Sequence, residues 1–586
     1  MRNEYPRPDF VRDSFISLDE EWDFDFDDRN VGHQEKWYRK HTYSKKIQVP
    51  FSFQSKLGGI EDLSFHDHLW YHLRLPKIRL GKEERLILHL EGVDYYSEVY
   101  LNGDRLADHY GANCGYVVDL TEALDPKAND LVLYVKDPSQ DRSIPRGKQD
   151  WEEKSHEIWY TRTSGIYKPA WLQVVNAAHI RNFYLTPRLE HYTVNVDLET
   201  TLSKGRVEME VTDWNEKNPK LFAFALTGLK ADYSFSLPDD YVNDRIWKPD
   251  WPYLFHLTFR LFDEKGAKKD EVKTYFAFRD ITAKDGKVYL NGYPIYQKLI
   301  LNQGYYPDGV LTAPTVEAME KDIDAIKALG FNGCRIHQKC EDPYFLYLCD
   351  KKGLFVWQEC AANYGFSSYS QRRMLNEWID IVKTNYNHPS IICYTPMNES
   401  WGIEGIPYDQ KIQAYDQALY YLIHSLDDTR LVISNDGWEQ CKTDLLTVHN
   451  YRHGAKDEKE KQAHFHETLS DRKHILDYAG IERLILCPGF EDEGQPILLT
   501  EFGGVAFRKD AHGKAWGYTT SSDEKEYIAD LTRIYAAIAD SSCLEGICYT
   551  QLTDVEQEMN GFLTFDRKFK VDPKKIKALN DTLKVK

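Results

Sequence analysis

Two glutamates, Glu399 and Glu501, stand apart from the other acids of this chain because each closes an apolar run. Ile391-Ile-Cys-Tyr-Thr-Pro-Met leads into Asn398 and Glu399, and Ile497-Leu-Leu-Thr leads into Glu501. Runs of that kind fill protein interiors, and a carboxylate at the end of one needs a local partner or a reaction to perform. Two carboxyl groups facing one another can divide a reaction between them. One, protonated, assists a leaving oxygen while the other, ionised, attacks the carbon that oxygen leaves. Cleavage of a glycosidic bond with retained configuration needs such a pair about 5–5.5 Å apart.

Acids 102 positions apart meet only if the fold brings two segments to one place. After residue 282 strand-like and helix-like patterns alternate. Thr315 is placed to cap a helix in which Met319, Ile323, Ile326 and Leu329 recur at helical spacing, and Gly330 ends it. Eight strands are predicted: Tyr296–Gln303, Asn332–Gln338, Leu354–Glu359, Ile391–Glu399, Leu431–Asp436, Leu445–Tyr451, Ile497–Phe502 and Gly546–Leu552. That rhythm predicts a (β/α)8 TIM barrel, whose reactive groups stand where the strands end. The predicted ends carry Asn302 and Gln303; Arg335 and His337; Gln358 and Glu359; Asn398 and Glu399; Asn435 and Asp436; His449, Asn450 and Tyr451; Glu501; and Gln551. Together they suit a pocket for a polyhydroxylated ligand, with Glu399 and Glu501 on opposite sides of the mouth.

Upstream the rhythm is different. To about residue 180, short runs such as Leu86–Leu90, Val99–Leu101 and Leu131–Val135 read as strands, and Asn102-Gly103 marks a type I′ hairpin. From 181 to 281 further strands follow (Val207–Val211, Tyr253–Phe262, Val272–Phe278), at a length that suits a second β-sandwich.

Composition narrows the ligand. The net charge is −19, which repels nucleic acid and anionic membrane. No stretch approaches a membrane span and the first residues lack an apolar signal region, so the expectation is a soluble, cytoplasmic protein. Ten dispersed cysteines suit reduced thiols and neither a disulfide framework nor a zinc site. The 14 Trp, 39 Tyr and 27 Phe supply core, and some of these rings can face sugars.

The chain resembles glycoside hydrolase family 2, the family of β-galactosidases, β-glucuronidases and β-mannosidases. The resemblance is carried by Trp22-Asp-Phe, Val49-Pro-Phe, Trp70-Tyr and Glu91-Gly-Val-Asp-Tyr-Tyr-Ser-Glu-Val-Tyr-Leu-Asn-Gly. It continues through Arg162-Thr-Ser-Gly-Ile-Tyr, Trp247-Lys-Pro-Asp-Trp-Pro-Tyr-Leu, Leu290-Asn-Gly, Asn387-His-Pro-Ser, Asn398-Glu-Ser-Trp and Thr500-Glu-Phe-Gly-Gly. It implies a jelly-roll module (1–180), an immunoglobulin-like β-sandwich (181–281) and a catalytic barrel (282–586). It further implies a retaining exo-β-glycosidase with Glu399 as acid/base and Glu501 as nucleophile. The Glu399 carboxyl is then expected to have a raised pKa, from burial beside another acid. Asn398 would bond the hydroxyl next to the anomeric carbon, Tyr451 would orient Glu501, and Arg335 would hold a carboxylate charged. His337, His449 and Trp401 complete this part of the binding set. The chemistry requires no metal or cofactor, and the partner expected is a small glycoside or oligosaccharide. Members are often dimers or tetramers, so a homo-oligomer is an expectation too.

Departures from the resemblance fall where sugar identity is read. Gln303 stands where family β-galactosidases often carry His, and on strand eight Tyr549 or Gln551 must line a wall usually built by Trp. Glu558-Met-Asn occupies the place of a glucuronidase Asn-x-Lys pair and lacks its cation. Lys339, after strand two, is an alternative cation, and Gln149 and Glu157 lie in the first-module segment expected to reach the substrate. A β-galactoside is the favoured substrate on this reading and a β-hexuronide the alternative. A carbohydrate-binding protein without turnover is a third reading, which the joint presence of Glu399, Glu501, Asn398 and Tyr451 disfavours.

Overall fold

Asn102 and Gly103 take φ angles of 54° and 87°, which close a two-residue hairpin between Tyr96–Leu101 and Asp104–Tyr110, with Leu101 opposite Asp104. That hairpin edges a six-stranded antiparallel sheet, which faces a four-stranded sheet containing Glu84–Leu90 and Ala170–Asn176. Alternate residues point inward, so Trp22, Leu69, Tyr71, Leu88, Val99, Leu133 and Leu172 meet in one core. The computed structural model in which this is seen describes residues 4–478, 483–507 and 516–586.

The middle module packs a three-stranded sheet (Ile180–Arg188, Thr193–Thr200, Lys230–Ser236) on a four-stranded one centred on Arg206–Thr212 and Phe255–Phe262. Its core is rich in Phe and Val, including Phe183, Val196, Val207, Phe259 and Val272.

The barrel strands are β1 (Gln297–Asn302), β2 (Gly333–Ile336), β3 (Phe355–Glu359), β4 (Ile391–Thr395), β5 (Leu431–Val432), β6 (Leu446–His449), β7 (Ile497–Gly503) and β8 (Leu544–Thr550). They pair in parallel in the order β5-β4-β3-β2-β1-β8-β7-β6. Between β5 and β6 no ladder forms among the described residues. The seam is crossed instead by an isolated bridge from Ile433 to Thr443. Pro396 has no N–H to donate, and β4 stops at Thr395 just before it. Met397–Asn398 then pairs separately with Asn435–Asp436, so the predicted fourth and fifth strands are each broken in two.

The helix predicted from Thr315 runs Val316–Ala328, with the Thr315 hydroxyl accepting from the Ala318 N–H. Inside the barrel lie Leu299, Leu301, Trp357, Ile392, Cys393, Leu498 and Cys548; between strands and helices lies a second, larger apolar layer. Both faces of each strand are therefore buried, as the uninterrupted apolar runs require. Among the described residues, no helix is long and apolar enough to cross a membrane.

Candidate active site

At the C-terminal ends of the barrel strands a network of charged groups forms around Arg335, which ends in β2 and has no solvent exposure. Its Nε bonds Glu359 from β3, and its Nη1 lies 2.9 Å from both Asp436 Oδ2 and Glu501 Oε1. Nη2 donates to Asn398 Oδ1 at 2.6 Å and lies 3.2 Å from His337 Nδ1. One planar guanidinium thus ties together groups from β2, β3 and β7 and from the extensions of β4 and β5. A buried cation of this kind is tolerated because its donors are shared among carboxylates. Burial opposes the charge on Arg335, but Asp436, Glu359 and Glu501 raise its pKa well above the usual value. Burial likewise pushes Asp436 and Glu359 up, yet in each the Arg335 charge prevails and the pKa is lowered.

His449, from the end of β6, joins the two glutamates singled out by sequence. Its Nδ1 is 2.8 Å from Glu399 Oε1 and 3.4 Å from Glu501 Oε2, while Nε2 is 3.2 Å from Asp436 Oδ2. Both ring nitrogens face only carboxylates, so both carry protons and the ring is an imidazolium. Burial works against that charge, but Glu501 and Asp436, with the bonds to Asp436 and Glu399, raise the pKa of His449 to about 10. Gly437 makes room for the ring: at φ 93°, a Cβ there would lie 2.6 Å from it.

The expectation that Glu399 carries a raised pKa is overturned here. Burial pushes it up, but the hydrogen bond and charge of His449, with the charges of Lys148 and His337, bring it below its ordinary value. These charges favour the proton on the imidazole, one hydrogen bond from Glu399.

One oxygen of Glu399, one ring nitrogen of His449 and one oxygen of Glu501 lie within 4.8 Å of one another. The gap between the acids suits nucleophile and acid/base of a retaining reaction. The same three groups could ligate a metal ion, although a metal there would have to displace the imidazolium proton and would occupy both acids. Tyr451 donates to Glu501 Oε2 at 2.7 Å and lies 2.8 Å from Thr550 Oγ1. Glu501 is therefore held through both oxygens, by Arg335 on one and by Tyr451 on the other. Asn398, committed through Oδ1 to Arg335, keeps its amide NH2 as the end available to a ligand.

Of the other predicted residues, Gln303 directly follows β1, with its Oε1 buried and unpartnered among the described residues. Trp401 is half-buried and packs edge-on against Trp159 of the first module at 5.4 Å. Four expectations need correction. Tyr549 does not line the mouth: it has no exposure and packs outward against Phe502 and Phe562, because Cys548 and Thr550 take the inward positions of β8. Lys339 is not a free cation, since it pairs with Glu341 at 3.1 Å and donates to the Gly304 carbonyl. Gln149 spends its amide within the first module, donating to Asp94 at 3.0 Å and accepting from the Thr163 N–H at 2.7 Å. Glu157 has an exposed side chain, and only its backbone carbonyl meets the barrel loop, accepting from Gln557.

The residue reading passed over Lys148, Tyr518, Trp438, Asp436 and Glu359 as site residues. Tyr518 stacks on Tyr451 with ring centres 3.5 Å apart. Trp438 stands edge-on to His449, its indole N–H buried and unpartnered among the described residues. Asp436 and Glu359 were visible as polar strand ends, and the signal that marks them is Arg335, a cation on a neighbouring strand with no other way to be neutralised.

The His449 environment has a consequence for stability. A group whose pKa is about 10 when folded and 6.5 when unfolded holds its proton more tightly in the folded state. Its contribution is complete below about pH 6.5, is lost as pH rises toward 10, and is absent above. The midpoint of thermal unfolding is therefore expected to fall from pH 7 to pH 10 more steeply than in a His449→Asn variant. Parallel slopes in the two proteins would contradict the imidazolium assignment.

A family model for the TIM barrel domain of glycosyl hydrolases family 2 matches residues 281–580. Models for glycosyl hydrolases family 2 and for its galactose-binding domain-like module match 178–279 and 36–170. The chain belongs to glycosyl hydrolases family 2. It is 28% identical over 380 residues to a putative β-glucuronidase of Formosa agariphila, covering 62% of this chain and 44% of that protein. With a β-galactosidase of Thermoanaerobacter pseudethanolicus the identity is 24% over 435 residues, covering 70% and 53%. The chain thus spans about half the length of these curated relatives. The crystal structure of a β-galacturonidase from Eisenbergiella tayi bound to glycerol has the same fold, with TM-score 0.74 and 19% identity over 99% of this chain and 98% of that one.

Proposed function

We propose that this protein is a retaining exo-β-glycosidase that removes terminal β-linked sugars by double displacement. The observation that carries the reading is the placement of Glu399 and Glu501 around His449, with Glu501 held by Arg335 and Tyr451. Glu501 attacks the anomeric carbon and forms a glycosyl-enzyme ester. Glu399, supplied with a proton from His449 Nδ1, protonates the departing oxygen. In the second step Glu399 takes a proton from water, which attacks the ester and restores the configuration, and passes that proton back to His449 Nδ1. The Asn398 amide donates to the hydroxyl beside the reacting carbon, where partial charge builds during bond cleavage.

Sequence favoured a β-galactoside as substrate. The names of the relatives, divided between β-glucuronidase and β-galactosidase, and the β-galacturonidase neighbour support a β-hexuronide at least as well. A panel of nitrophenyl β-galactoside, β-glucoside, β-glucuronide, β-galacturonide, β-mannoside and α-arabinoside separates these, with NMR of the first-formed sugar reporting its anomer. The expected first product keeps the anomeric configuration of its substrate, β from every β-glycoside. An inverted anomer would remove double displacement, and an inert panel would remove the glycosidase reading.

A further inference from the structure

Lys148 belongs to the first module but stands at the barrel mouth. Its segment is clamped there by backbone: the Arg146 and Gly147 N–H groups both donate to the Ala362 carbonyl at 3.0 Å. Gly147, at φ 60°, comes so close to the loop after β2 that a Cβ would lie 2.3 Å from the Gln338 carbonyl oxygen. The Lys148 carbonyl accepts from the Tyr160 N–H at 2.9 Å, which fixes the residue from the other side. The side chain runs inward with only 9% exposure, and its ammonium lies 5.0 Å from the centre of the Trp159 ring.

A buried cation normally has an anion in contact, as Arg335 and Lys339 do at this mouth. Arg335 has Glu359, Asp436 and Glu501, and Lys339 has Glu341. Arg146, close by in the chain, has no anion in contact either among the described residues, but its guanidinium is covered on the Trp151 and Tyr364 rings at 5.1 and 4.9 Å, rings other than the one Lys148 meets. Lys148 Nζ, among the described residues, has no hydrogen-bond partner and no carboxylate within 4.0 Å. Its charge is nonetheless felt by two carboxyl groups of the site, Glu399 and Glu558, both of which it draws downward. Neither acid is in contact with it. Glu399 is bonded to His449, and Glu558 to the Tyr160 hydroxyl and to Asn560 Nδ2 at 2.8 Å. Lys148 lines a small cavity together with His337 and Gln338, the residues that follow β2 at the mouth. An ammonium on a largely buried stem, with three donors and no acceptor in reach, is complementary to a carboxylate supplied by the ligand.

We propose that Lys148 is a specificity-determining residue that binds the carboxylate of an acidic sugar, and that the protein accordingly acts on β-linked hexuronides. The proposal rests on the glycosidase reading above and deepens it. The loss of one partner from a desolvated charge pair costs affinity in proportion to that desolvation, so the effect is confined to substrates carrying the charge.

The test compares Lys148→Met with the parent protein on nitrophenyl β-galacturonide and β-glucuronide and on the matching β-galactoside and β-glucoside. The leaving group is common to all, so any difference resides in the C6 substituent. Expected is a fall in kcat/KM of about 10²-fold on the preferred uronide, with change on the neutral sugars within about threefold. Parallel falls on charged and neutral substrates would overturn the proposal, as would unchanged uronide turnover. A parent enzyme that hydrolyses neutral hexosides and leaves uronides intact would overturn it too. A second measurement needs neither the variant nor turnover. Free galacturonate or glucuronate is expected to raise the unfolding temperature of the parent protein more than equimolar galactose or glucose at pH 7. Equal shifts would exclude Lys148 as an anion site even if every glycoside proved inert, an outcome that by itself counts against the glycosidase reading.

Discussion

Replacement of Glu501 by Gln is expected to lower kcat by about 10⁴-fold or more, about 5.5 kcal/mol of barrier, while sugar binding changes by less than about tenfold. The amide keeps the shape of the carboxylate and can still meet Arg335 and Tyr451, but it cannot form the glycosyl ester. Glu399→Ala separates the two acids. Nitrophenolate departs without protonation, so the first step survives on aryl glycosides and the second, which needs a base, becomes slow. The ester then accumulates, visible by mass spectrometry of the intact protein, and azide restores turnover as the β-glycosyl azide. If Glu501→Gln turned over at the parent rate, the nucleophile would be misassigned. Trapping of the ester on a residue other than Glu501 would have the same force.

The second large effect is on the network beneath those acids. Arg335→Met should destabilise the barrel by about 3–5 kcal/mol, because Glu359, Asp436 and Glu501 would share a buried site without their cation. Activity should be lost with it. Arg335→Lys is the informative companion: one ammonium restores part of the charge balance but cannot reach Glu359, Glu501 and Asn398 at once, as the guanidinium fork does. Expected are partial recovery of the unfolding temperature and little recovery of kcat/KM. A parent-like unfolding temperature in Arg335→Met would show that the three acids are neutralised without the guanidinium.

The barrel was legible because its strands are continuous apolar runs ending in polar groups, and those ends are where chemistry sits. The same continuity hid which way each side chain faces. In Cys548, Tyr549 and Thr550 all three residues are buried, so burial does not reveal that Tyr549 points outward and Thr550 inward to Tyr451. Strand four misled in another way: Pro396 ends its ladder, and Glu399 follows a two-residue extension at φ 52°. Contacts between segments distant in the chain were the least legible. Gln149 meets Asp94, 55 residues earlier in the chain, and nothing local announces that pairing. Lys148 lies beside Gln149 in the segment expected to reach the substrate, but its residue type alone does not single it out. The glycine before it was the available signal, since Gly147 is needed only if that loop presses against another backbone.

The loop that delivers Lys148 belongs to a different module from the acids it faces. If Lys148 reads the sugar as proposed, turnover and choice of sugar are encoded on separately evolvable stretches of chain, one in the barrel and one in the sandwich. A library confined to residues 145–160 would vary which sugar is accepted while leaving Glu399, His449 and Glu501 untouched. Within such a family, preference can diverge among proteins whose barrels remain nearly interchangeable.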